Sequence, residues 1–282
     1  MKVLFISDYS LNHTIGGAQR SNDLIYRKGK ELGHEITMLH IDMDYTSILN
    51  KEYDVVISSN MEAFSSYKKD VLDYCCSVDN HSRLEHDMCR YLDDEYRKKL
   101  FNNCKNAFFL TDHHINKFRE NYGDIFKNVK IVSDPIDKSL FYDYNQERSD
   151  EILYAGFMHP YKGTNNFLDF TVKNQDKNFV VVGWGDQKYI DFMNQSKNIR
   201  FFGSAPYETM PQIYNKFEYM YYNPVIDEPF CRSVGEAIMC GMEILGGSDK
   251  IGCVNSYNKY GRKKFIEDCH NADKVFWETL DV

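Results

Sequence analysis

The strongest constraint on the fold of this chain is the regular alternation of short apolar runs with longer segments of helical periodicity. The first apolar run, Val3–Ser7, follows a single Lys and has the continuous hydrophobicity of a buried parallel strand. A Gly-containing loop leads from it to Ala18–Leu32, whose apolar residues recur at helical spacing and which stops at Gly33. Alternation of this kind along the whole chain predicts the α/β class, with parallel sheets covered by helices on both faces.

The alternation is interrupted once, close to the middle of the chain. Asp134–Asp137 (DPID) breaks the pattern, and the following segment 143–150 is polar and almost devoid of aliphatic residues. We therefore predict two doubly wound Rossmann-like domains, residues 1–146 and 147–270. Ligands of such sheets bind beyond the carboxyl ends of the strands. With two domains, we expect the functional site in the cleft between them.

Individual elements can be assigned within each half. In the first half we expect further strands at 35–41, 54–58, 74–78, 107–111 and 129–133, and helices at 84–103 and 112–121. In the second half we expect strands at 151–155, 178–182, 199–202, 218–222 and 243–245, and helices at 163–173, 187–195, 206–214 and 233–240. Residues 271–280 are predicted to form one more helix.

Composition and charge argue against several classes of function. The 282 residues are 43% hydrophobic and 27% charged, which is ordinary for a globular protein, and the formal net charge is −8. Because no block of five Lys or Arg residues is present, neither nucleic acid nor an anionic membrane surface is an expected partner. Eight cysteines without a C-x-x-C pair argue against a zinc knuckle and favour reduced thiols. No run approaches the ~18 apolar residues of a membrane span, so we expect a cytoplasmic protein without a transmembrane segment.

The segment Glu228–Glu236 (EPFCRSVGE) carries the clearest chemical signal. It follows a predicted strand and crosses the start of a predicted helix. Arg232–Gly235 would then form a helix N-terminus, whose free N–H groups attract phosphate, and Glu236 would lie in the first helical turn. One carboxylate could bind the hydroxyls of a sugar while the other accepts hydrogen bonds from a ribose. A diphosphate between them would be held by the helix and by a cation.

This segment, together with Ala237 and Gly241, resembles the E-x7-E signature of retaining family 4 glycosyltransferases (glycosyl transferases group 1). In that family it reads E-P-F-G, an apolar pair, and then E-A-M-A-x-G. Both glutamates, Pro229 and Phe230 match, whereas Cys231 stands in place of the usual glycine. The resemblance implies the GT-B fold, in which two Rossmann-like domains face each other across a cleft. It also implies that residues 271–282 form a C-terminal helix that packs back on the first domain.

A second match lies at the start of the second half. Gly156–Gly163 (GFMHPYKG) resembles the family segment G-R-x-x-x-x-K-G. Lys162 matches the lysine that neutralises the donor phosphate, and a positive charge suits a diphosphate leaving group. Phe157 stands where the family has Arg. Arg232 is one candidate for the missing cation; alternatively, the loss of the Arg puts catalysis itself in doubt.

Weaker matches extend the resemblance along most of the chain. Phe179–Gly185 resembles the family strand that ends in G-x-G, and Asn198–Gly203 resembles the next strand, whose following loop packs on the nucleobase. Gly16 and Gly17 resemble the N-terminal glycine loop, where glycine permits a positive φ and close approach of the backbone to the diphosphate. A simple turn before a helix is the alternative interpretation of these two glycines.

The acceptor side is marked by fewer residues. In the family, a His from the region after the fourth strand contacts the donor sugar, and both His81 and His86 are candidates. Each of them could equally be a surface or packing residue. Asp42 and Asp44 form a D-x-D pair like the metal site of the other large glycosyltransferase fold. They follow the second strand, too early in the chain for that fold, so we predict no metal site.

The resemblance implies a metal-independent, retaining glycosyltransferase of the hexosyltransferase class that acts in glycan or polysaccharide synthesis. The donor would be a nucleoside-diphosphate sugar, the acceptor a glycan or another hydroxyl compound, and no cofactor is expected. The expected catalytic residues are Glu228, Lys162 and His86. The expected donor-binding residues are Gly16, Gly17, Lys162, Glu228, Phe230, Cys231, Arg232, Ser233 and Glu236.

Three alternatives remain open on the sequence alone. The first is a catalytically degenerate module that binds a nucleotide sugar or serves as a partner subunit, which Phe157 and Cys231 favour. The second is a GT-B epimerase, which needs an acid/base pair and a free nucleotide sugar as its only substrate. The third is a D-x-D transferase that depends on a metal. The donor base, the sugar, the acceptor and the oligomeric state are not set by the sequence.

Overall fold

The computed structural model describes residues 1–13, 16–88 and 94–280, apart from the side chain of Ser248. The chain divides into two compact units. Unit 1 contains the residues up to Ile136 together with the C-terminal segment from Glu267, and unit 2 contains Asp137–Ile266. Each unit is built on its own parallel sheet with helices on both faces, as the alternating pattern predicts.

The sheet of unit 1 has six parallel strands in the order β2-β1-β3-β4-β5-β6. They are Lys2–Ile6 (β1), Glu35–Leu39 (β2), Val55–Ser58 (β3), His81–Leu84 (β4), Asn106–Phe109 (β5) and Val129–Ile131 (β6). The helices between them are Gly17–Glu31 (α1), Thr46–Leu49 (α2), Glu62–Tyr67 (α3), Lys69–Ser77 (α4), Asp94–Asn103 (α5) and Asp112–Tyr122 (α6). Strand order reverses between β1 and β3, so the carboxyl ends of these strands border the crevice where doubly wound sheets bind ligands.

Two expected elements of unit 1 are wrong. The strand expected at 74–78 is instead the end of α4, and the fourth strand is β4, whose four residues are all buried. The sequence of β4, HSRL, lacks an apolar run because its polar side chains have buried partners: His81 Nε2 lies 2.7 Å from Ser58 Oγ. The long helix expected at 84–103 is observed only as α5, since Leu84 ends β4 and residues 89–93 lie outside the described residues.

The sheet of unit 2 has five parallel strands in the order β11-β10-β7-β8-β9. They are Ser149–Met158 (β7), Phe179–Gly185 (β8), Ile199–Phe201 (β9), Phe217–Tyr221 (β10) and Glu243–Leu245 (β11). The helices are Thr164–Lys173 (α7), Gln187–Gln195 (α8), Met210–Tyr214 (α9), Arg232–Met239 (α10) and Gly252–Tyr260 (α11). Single 3₁₀ turns occur at Pro160–Lys162, Tyr207–Thr209 and Ser248–Lys250. Successive residues of β7 from Ile152 to Ala155 are all buried, which places helices over both faces of the sheet.

The last helix, Arg262–Thr279 (α12), begins well before residue 271, where the sequence pattern first indicates it. Its end belongs to unit 1. There Trp277 Nε1 donates to the carbonyl of Ile25 at 2.8 Å, and the ring of Phe276 lies 4.7 Å from that of Phe108. A Cβ added to Gly29 would lie 2.4 Å from Trp277, so only glycine lets α1 and the end of α12 pack this closely. Among the described helices, none is long and apolar enough to cross a membrane.

Candidate functional site

The two residues with the strongest expected roles in unit 2 form an ion pair beyond the carboxyl ends of β7 and β10. Lys162 Nζ lies 2.7 Å from Glu228 Oε1, and the same oxygen accepts a hydrogen bond from Tyr222 Oη at 3.0 Å. The backbone N–H of Glu228 donates to the carbonyl of Lys250, and Gly252 N donates to the carbonyl of Glu228. Glu228 is therefore held at both its main chain and its side chain.

Lys162 reaches Glu228 because a tight turn follows β7. The turn Pro160–Lys162 ends at Gly163, which has a φ of +79°. A Cβ at Gly163 would lie 1.8 Å from the carbonyl oxygen of Asn223, so this position needs glycine both for its φ and for the close approach of two loops. Burial opposes the charged form of Lys162, but the neighbouring Glu228 carboxylate outweighs it and raises the pKa of Lys162 above its ordinary value. The ammonium group is thus fixed in its charged form.

Helix α10 begins directly beside this ion pair. Its N-cap is Cys231, with φ 71° and ψ 84°, and the N–H groups of Val234 and Gly235 donate to the Cys231 carbonyl. The positive φ explains why glycine is usual here, since an L side chain is strained in this conformation. Burial, and then the charge of Glu228, raise the pKa of the Cys231 thiol to about 12, so the thiol stays protonated. The Oγ of Ser233 lies 3.8 Å from Cys231 Sγ, at the same helix end.

The second glutamate, Glu236, is bound within its own helix and not in the first turn. It is the fifth residue of α10 and is buried. Its Oε1 accepts hydrogen bonds from Arg232 Nε at 2.9 Å and from Tyr207 Oη at 2.7 Å. Burial, together with the Glu236 charge, raises the pKa of Tyr207. Arg232, which the sequence makes a candidate phosphate ligand, is therefore already paired with a carboxylate.

Phe230 has a packing role in the structure. It is 1% exposed, and its ring stacks on that of Phe265 with the centroids 6.1 Å apart. It holds the backbone of the Glu228–Cys231 segment in place, and its ring is not presented to solvent.

The position that carries Arg in the resembling family is occupied here by part of an aromatic cluster. The cluster consists of Phe157, His159, Tyr161 and Trp184. The centroid of the Phe157 ring lies 4.3 Å from that of Trp184 and 5.5 Å from that of His159. Phe157 and Trp184 are register partners on β7 and β8, and Trp184 is 61% exposed. Trp184 was not selected from the sequence; its register opposite Phe157 in the neighbouring strand is the signal that would have found it.

Unit 1 places His86 and His81 in different environments. His86 follows β4 at the carboxyl edge of the sheet, is nearly buried, and its Nε2 lies 3.0 Å from Asn22 Oδ1. His81 lies inside the sheet with no exposed surface, and burial and then Arg83 lower its pKa to about 3. His81 is therefore a packing residue, and of these two histidines only His86 lies where a ligand of the sheet would bind.

The two glycines near the N-terminus of α1 have ordinary backbone conformations. Gly16 is the N-cap of α1 with φ −108° and ψ 167°, and Gly17 is the first helical residue. A positive φ is therefore not the reason for glycine at position 16, contrary to the expectation from the sequence. An added Cβ at Gly16 would meet only the end of the Gln19 side chain, at 2.3 Å.

The two carboxylates of the D-x-D pair have separate partners. Asp42 lies 3.2 Å from His13 Nε2 with both side chains half-exposed, and Asp44 accepts from the N–H of Thr46. Within residues 1–13, 16–88 and 94–280, the one group of three possible metal ligands is Glu62, Glu85 and Asp87, whose oxygens lie within 4.8 Å of one another. These three residues, here called the acidic cluster, were not selected from the sequence because Glu62, at the start of α3, is far along the chain from Glu85 and Asp87, which follow β4.

Buried charges surround the acidic cluster. Arg83 Nη2 lies 2.9 Å from Glu85 Oε2, and Arg97 Nε lies 4.0 Å from the same oxygen. Burial opposes ionisation of Glu85, but Arg83 and then Arg97 outweigh it and lower the pKa of Glu85. Burial and then the charge of Asp87 raise the pKa of Glu62 to about 8, while burial and then Glu85 raise the pKa of Asp87 to about 6. The cluster therefore holds a proton near neutral pH.

These pKa values predict how the stability of unit 1 changes with pH. Folded Glu62 binds a proton up to about pH 8, whereas an unfolded Glu releases it near pH ~4.3, so the free energy of unfolding falls as pH rises through this window. Folding lowers the pKa values of His81 and His114. Below about pH 6.5, where a free His titrates, these two residues therefore make the free energy of unfolding rise with pH. We therefore expect the free energy of unfolding to fall between about pH 6.5 and 8, and urea unfolding at a series of pH values measures it.

Glu62→Gln should flatten that slope, and Glu52→Gln, at an exposed position of the same unit, should leave it unchanged. An equal slope in the wild type and in Glu62→Gln would show that Glu62 is ionised in the folded state at neutral pH.

Comparison with known proteins gives a family for the second half of the chain. Residues 141–278 match the model of the family described as Glycosyl transferases group 1. A search among curated proteins found no significant match.

Solved structures resemble the whole chain in fold. HepE from Anabaena, solved in complex with UDP and glucose, has a TM-score of 0.65 at 14% identity, over 100% of this chain and 96% of that protein. A sucrose-phosphate synthase from Thermosynechococcus elongatus has a TM-score of 0.72 at 10% identity, over 99% of this chain and 96% of that protein. AviGT4, a glycosyltransferase involved in avilamycin A biosynthesis, has a TM-score of 0.65 at 14% identity, over 97% and 88% of the two chains. The chain therefore has two parallel-sheet α/β domains of the kind found in GT-B glycosyltransferases, and its residues 141–278 match the Glycosyl transferases group 1 model.

Proposed function

We propose that this protein is a glycosyltransferase that transfers a sugar from a nucleoside-diphosphate sugar to an acceptor hydroxyl. The observation that carries the proposal is the Lys162–Glu228 ion pair beside the N-terminus of α10, inside the segment that matches the transferase family. A helix N-terminus attracts anions through its free N–H groups and its dipole. A fixed ammonium group beside it can stabilise the charge that develops on a diphosphate leaving group.

In this proposal, different residues bind different parts of the donor. Lys162 and the first N–H groups of α10 bind the diphosphate, with Ser233 at the same helix end. Glu228 accepts hydrogen bonds from the hydroxyls of the transferred sugar, and Glu236 accepts from the ribose. For the latter, the bond from Tyr207 to Glu236 has to rearrange or be shared. Within unit 1, taken by itself, His86 follows β4 at the carboxyl edge of the sheet, where doubly wound sheets bind ligands.

We further propose that transfer retains the anomeric configuration and needs no metal. Glu228, the carboxylate closest to the proposed phosphate site, is already paired with Lys162 and Tyr222, which makes it a poor nucleophile. The bond between the anomeric carbon and the diphosphate oxygen would break, the acceptor oxygen would bond to that carbon from the same face, and the hydroxyl proton would pass to the departing diphosphate oxygen. Retention of activity in EDTA and retention of configuration, seen in the NMR spectrum of the product, would support this course. Loss of activity in EDTA or an inverted product would contradict it.

The acceptor is proposed to be a glycan or another hydroxyl compound in polysaccharide synthesis, and the site of action the cytoplasm. The family resemblance supports this proposal, and so does the net charge of −8, which argues against nucleic acid as a partner.

The donor site is tested first by nucleotide binding. HepE has been solved with UDP and with UDP-glucose, so uridine nucleotides head a thermal-shift screen that also covers GDP, ADP and their sugars. A ligand at 100 times its Kd should stabilise the folded protein by about 2.7 kcal/mol. Glu236→Ala should lose the shift, while Glu243→Ala, at an exposed carboxylate of the same unit, should keep it. No shift with any nucleotide would contradict the proposed donor site.

A second candidate function is a degenerate module that binds a nucleotide sugar without turning it over. The aromatic cluster favours it, because Phe157 packs on Trp184 where the resembling family has a cation. Binding of a donor without turnover in the presence of a broad acceptor mixture would support this second function and exclude the first.

A further inference from the structure

Lys250 lies in a loop that is tied to the Lys162–Glu228 pair on two sides. Its carbonyl accepts from the N–H of Glu228 at 2.8 Å, and Ile251 forms a parallel bridge with Glu228. Its Nζ donates to the carbonyl of Val225 at 3.1 Å, and Val225 N donates in turn to the carbonyl of Tyr161. The backbone beyond Lys250 runs beside the segment that enters α10, since Cys253 N donates to the Phe230 carbonyl. Lys250 is therefore part of the same group of loops as Lys162.

The surroundings of the Lys250 ammonium group differ from those of the two cations already described. Lys162 is paired with Glu228, and Arg232 is paired with Glu236, so these four side chains sum to zero charge. Within the described part of the chain, Lys250 has no carboxylate partner, and its ammonium group is held only by a neutral carbonyl. A dianionic diphosphate entering beside α10 would thus meet two neutralised pairs, a helix end and one uncompensated cation.

We propose that Lys250 binds a phosphate of the nucleoside-diphosphate donor, as the second cation of the site. This inference rests on the proposed function. The Lys side chain is long and flexible, so its ammonium group can leave the Val225 carbonyl and turn to an anion without moving the backbone. A bond to phosphate adds the attraction between opposite charges to the hydrogen bond of the ammonium group, and the neutral carbonyl of Val225 does not offer that attraction. Because Phe157 is uncharged, the end of β7 has no cation at the position where the resembling family has Arg. The Lys250 ammonium group can supply the positive charge instead.

The number of phosphates in the ligand provides the test. We would measure Kd by calorimetry for UDP, UMP and uridine with wild type, Lys250→Met and Lys173→Met. Lys173 ends α7 at the opposite edge of the sheet and is exposed, so its replacement makes the same change in net charge away from the site. Lys250→Met should weaken UDP binding about tenfold and UMP binding less, and leave uridine binding unchanged. Tenfold corresponds to 1.4 kcal/mol. Lys173→Met should change none of the three by more than about twofold.

The outcomes distinguish a failure of this inference from a failure of the proposed glycosyltransferase function. If wild type binds neither UDP nor the GDP and ADP of the earlier screen, the proposed function fails and this inference fails with it. If wild type binds UDP and Lys250→Met binds it equally well, the donor site stands and the role of Lys250 is wrong. A loss that is equal for UDP and uridine would also overturn the inference, because it would reflect a change in the loop and not in the charge.

Discussion

Replacing Lys162 by Met is expected to lower kcat for sugar transfer by about 10²–10³, the usual cost of removing one group that stabilises a leaving anion. The loss should fall on kcat more than on KM, since charge develops on the diphosphate as its bond to the sugar breaks. The same change should lower the free energy of unfolding by about 1.5–3 kcal/mol, because a charged hydrogen bond to the nearly buried Glu228 is lost. Steady-state kinetics with the donor identified by the binding screen, together with urea unfolding, measure the two effects.

A double variant separates the chemical role of Lys162 from its structural one. Lys162→Met with Glu228→Gln removes both charges, so stability should return toward wild type while activity stays lost. Lys177→Met, at an exposed lysine of the same unit, is the matched control and should change neither quantity. A Lys162→Met enzyme with wild-type kcat would show that the leaving group is stabilised elsewhere.

Arg83→Met is expected to be the most destabilising single change in unit 1, at about 3–5 kcal/mol. Arg83, Arg97 and Glu85 are all at 0% exposure. Removal of Arg83 leaves the Glu85 carboxylate in the interior with Arg97 at 4.0 Å as its nearest remaining cation. The Ser59 carbonyl also loses the hydrogen bond that Arg83 donates to it. Urea unfolding of the full chain at neutral pH measures the loss.

The control for this prediction is a surface ion pair. Arg119 lies 3.3 Å from Asp124 with its side chain 45% exposed, and Arg119→Met should cost less than about 1 kcal/mol. Because the pKa of Glu85 is lowered in the folded state, its pairing stabilises above the ordinary Glu pKa and is lost as pH falls through the lower folded value. The difference between wild type and Arg83→Met should therefore shrink in acid. A pH-independent difference below 1 kcal/mol would contradict the buried network.

The pattern of apolar runs predicted most strands of both sheets, because buried parallel strands are hydrophobic on both faces. It failed at β4, where the sequence HSRL is as buried as any apolar strand. The reason is long-range: His81 and Arg83 are acceptable there only because Ser58, Ser59 and Glu85 supply partners. No local pattern reports partners that come from other strands and loops.

At the candidate site, sequence spacing placed Glu228 after a strand and Arg232 at a helix start, as observed. Spacing alone could not show that Glu236 lies in the second turn and already binds Arg232. Residues in successive turns lie on the same face of a helix, so the spacing is the same whichever turn the glutamate occupies. The unusual residue Cys231 was visible in the sequence, but its positive φ is a property of the loop. Lys250 carried no sequence signal, since it joins the site only through the bridge between Ile251 and Glu228.

Because the chain returns to unit 1 after residue 266, unit 1 can complete its core only after unit 2 has been synthesised. All of unit 2, residues 137–266, is synthesised before Phe276 and Trp277, which complete the core of unit 1. Although unit 1 comes first in the chain, it is therefore the last to close its core, and the surface of α1 that receives Trp277 stays open during translation. Domains generally fold as units in the order of their synthesis. Here unit 1, although it is synthesised first, cannot finish folding until Phe276 and Trp277 have been added. A nascent chain stalled before residue 276 would therefore be an expected substrate for chaperones.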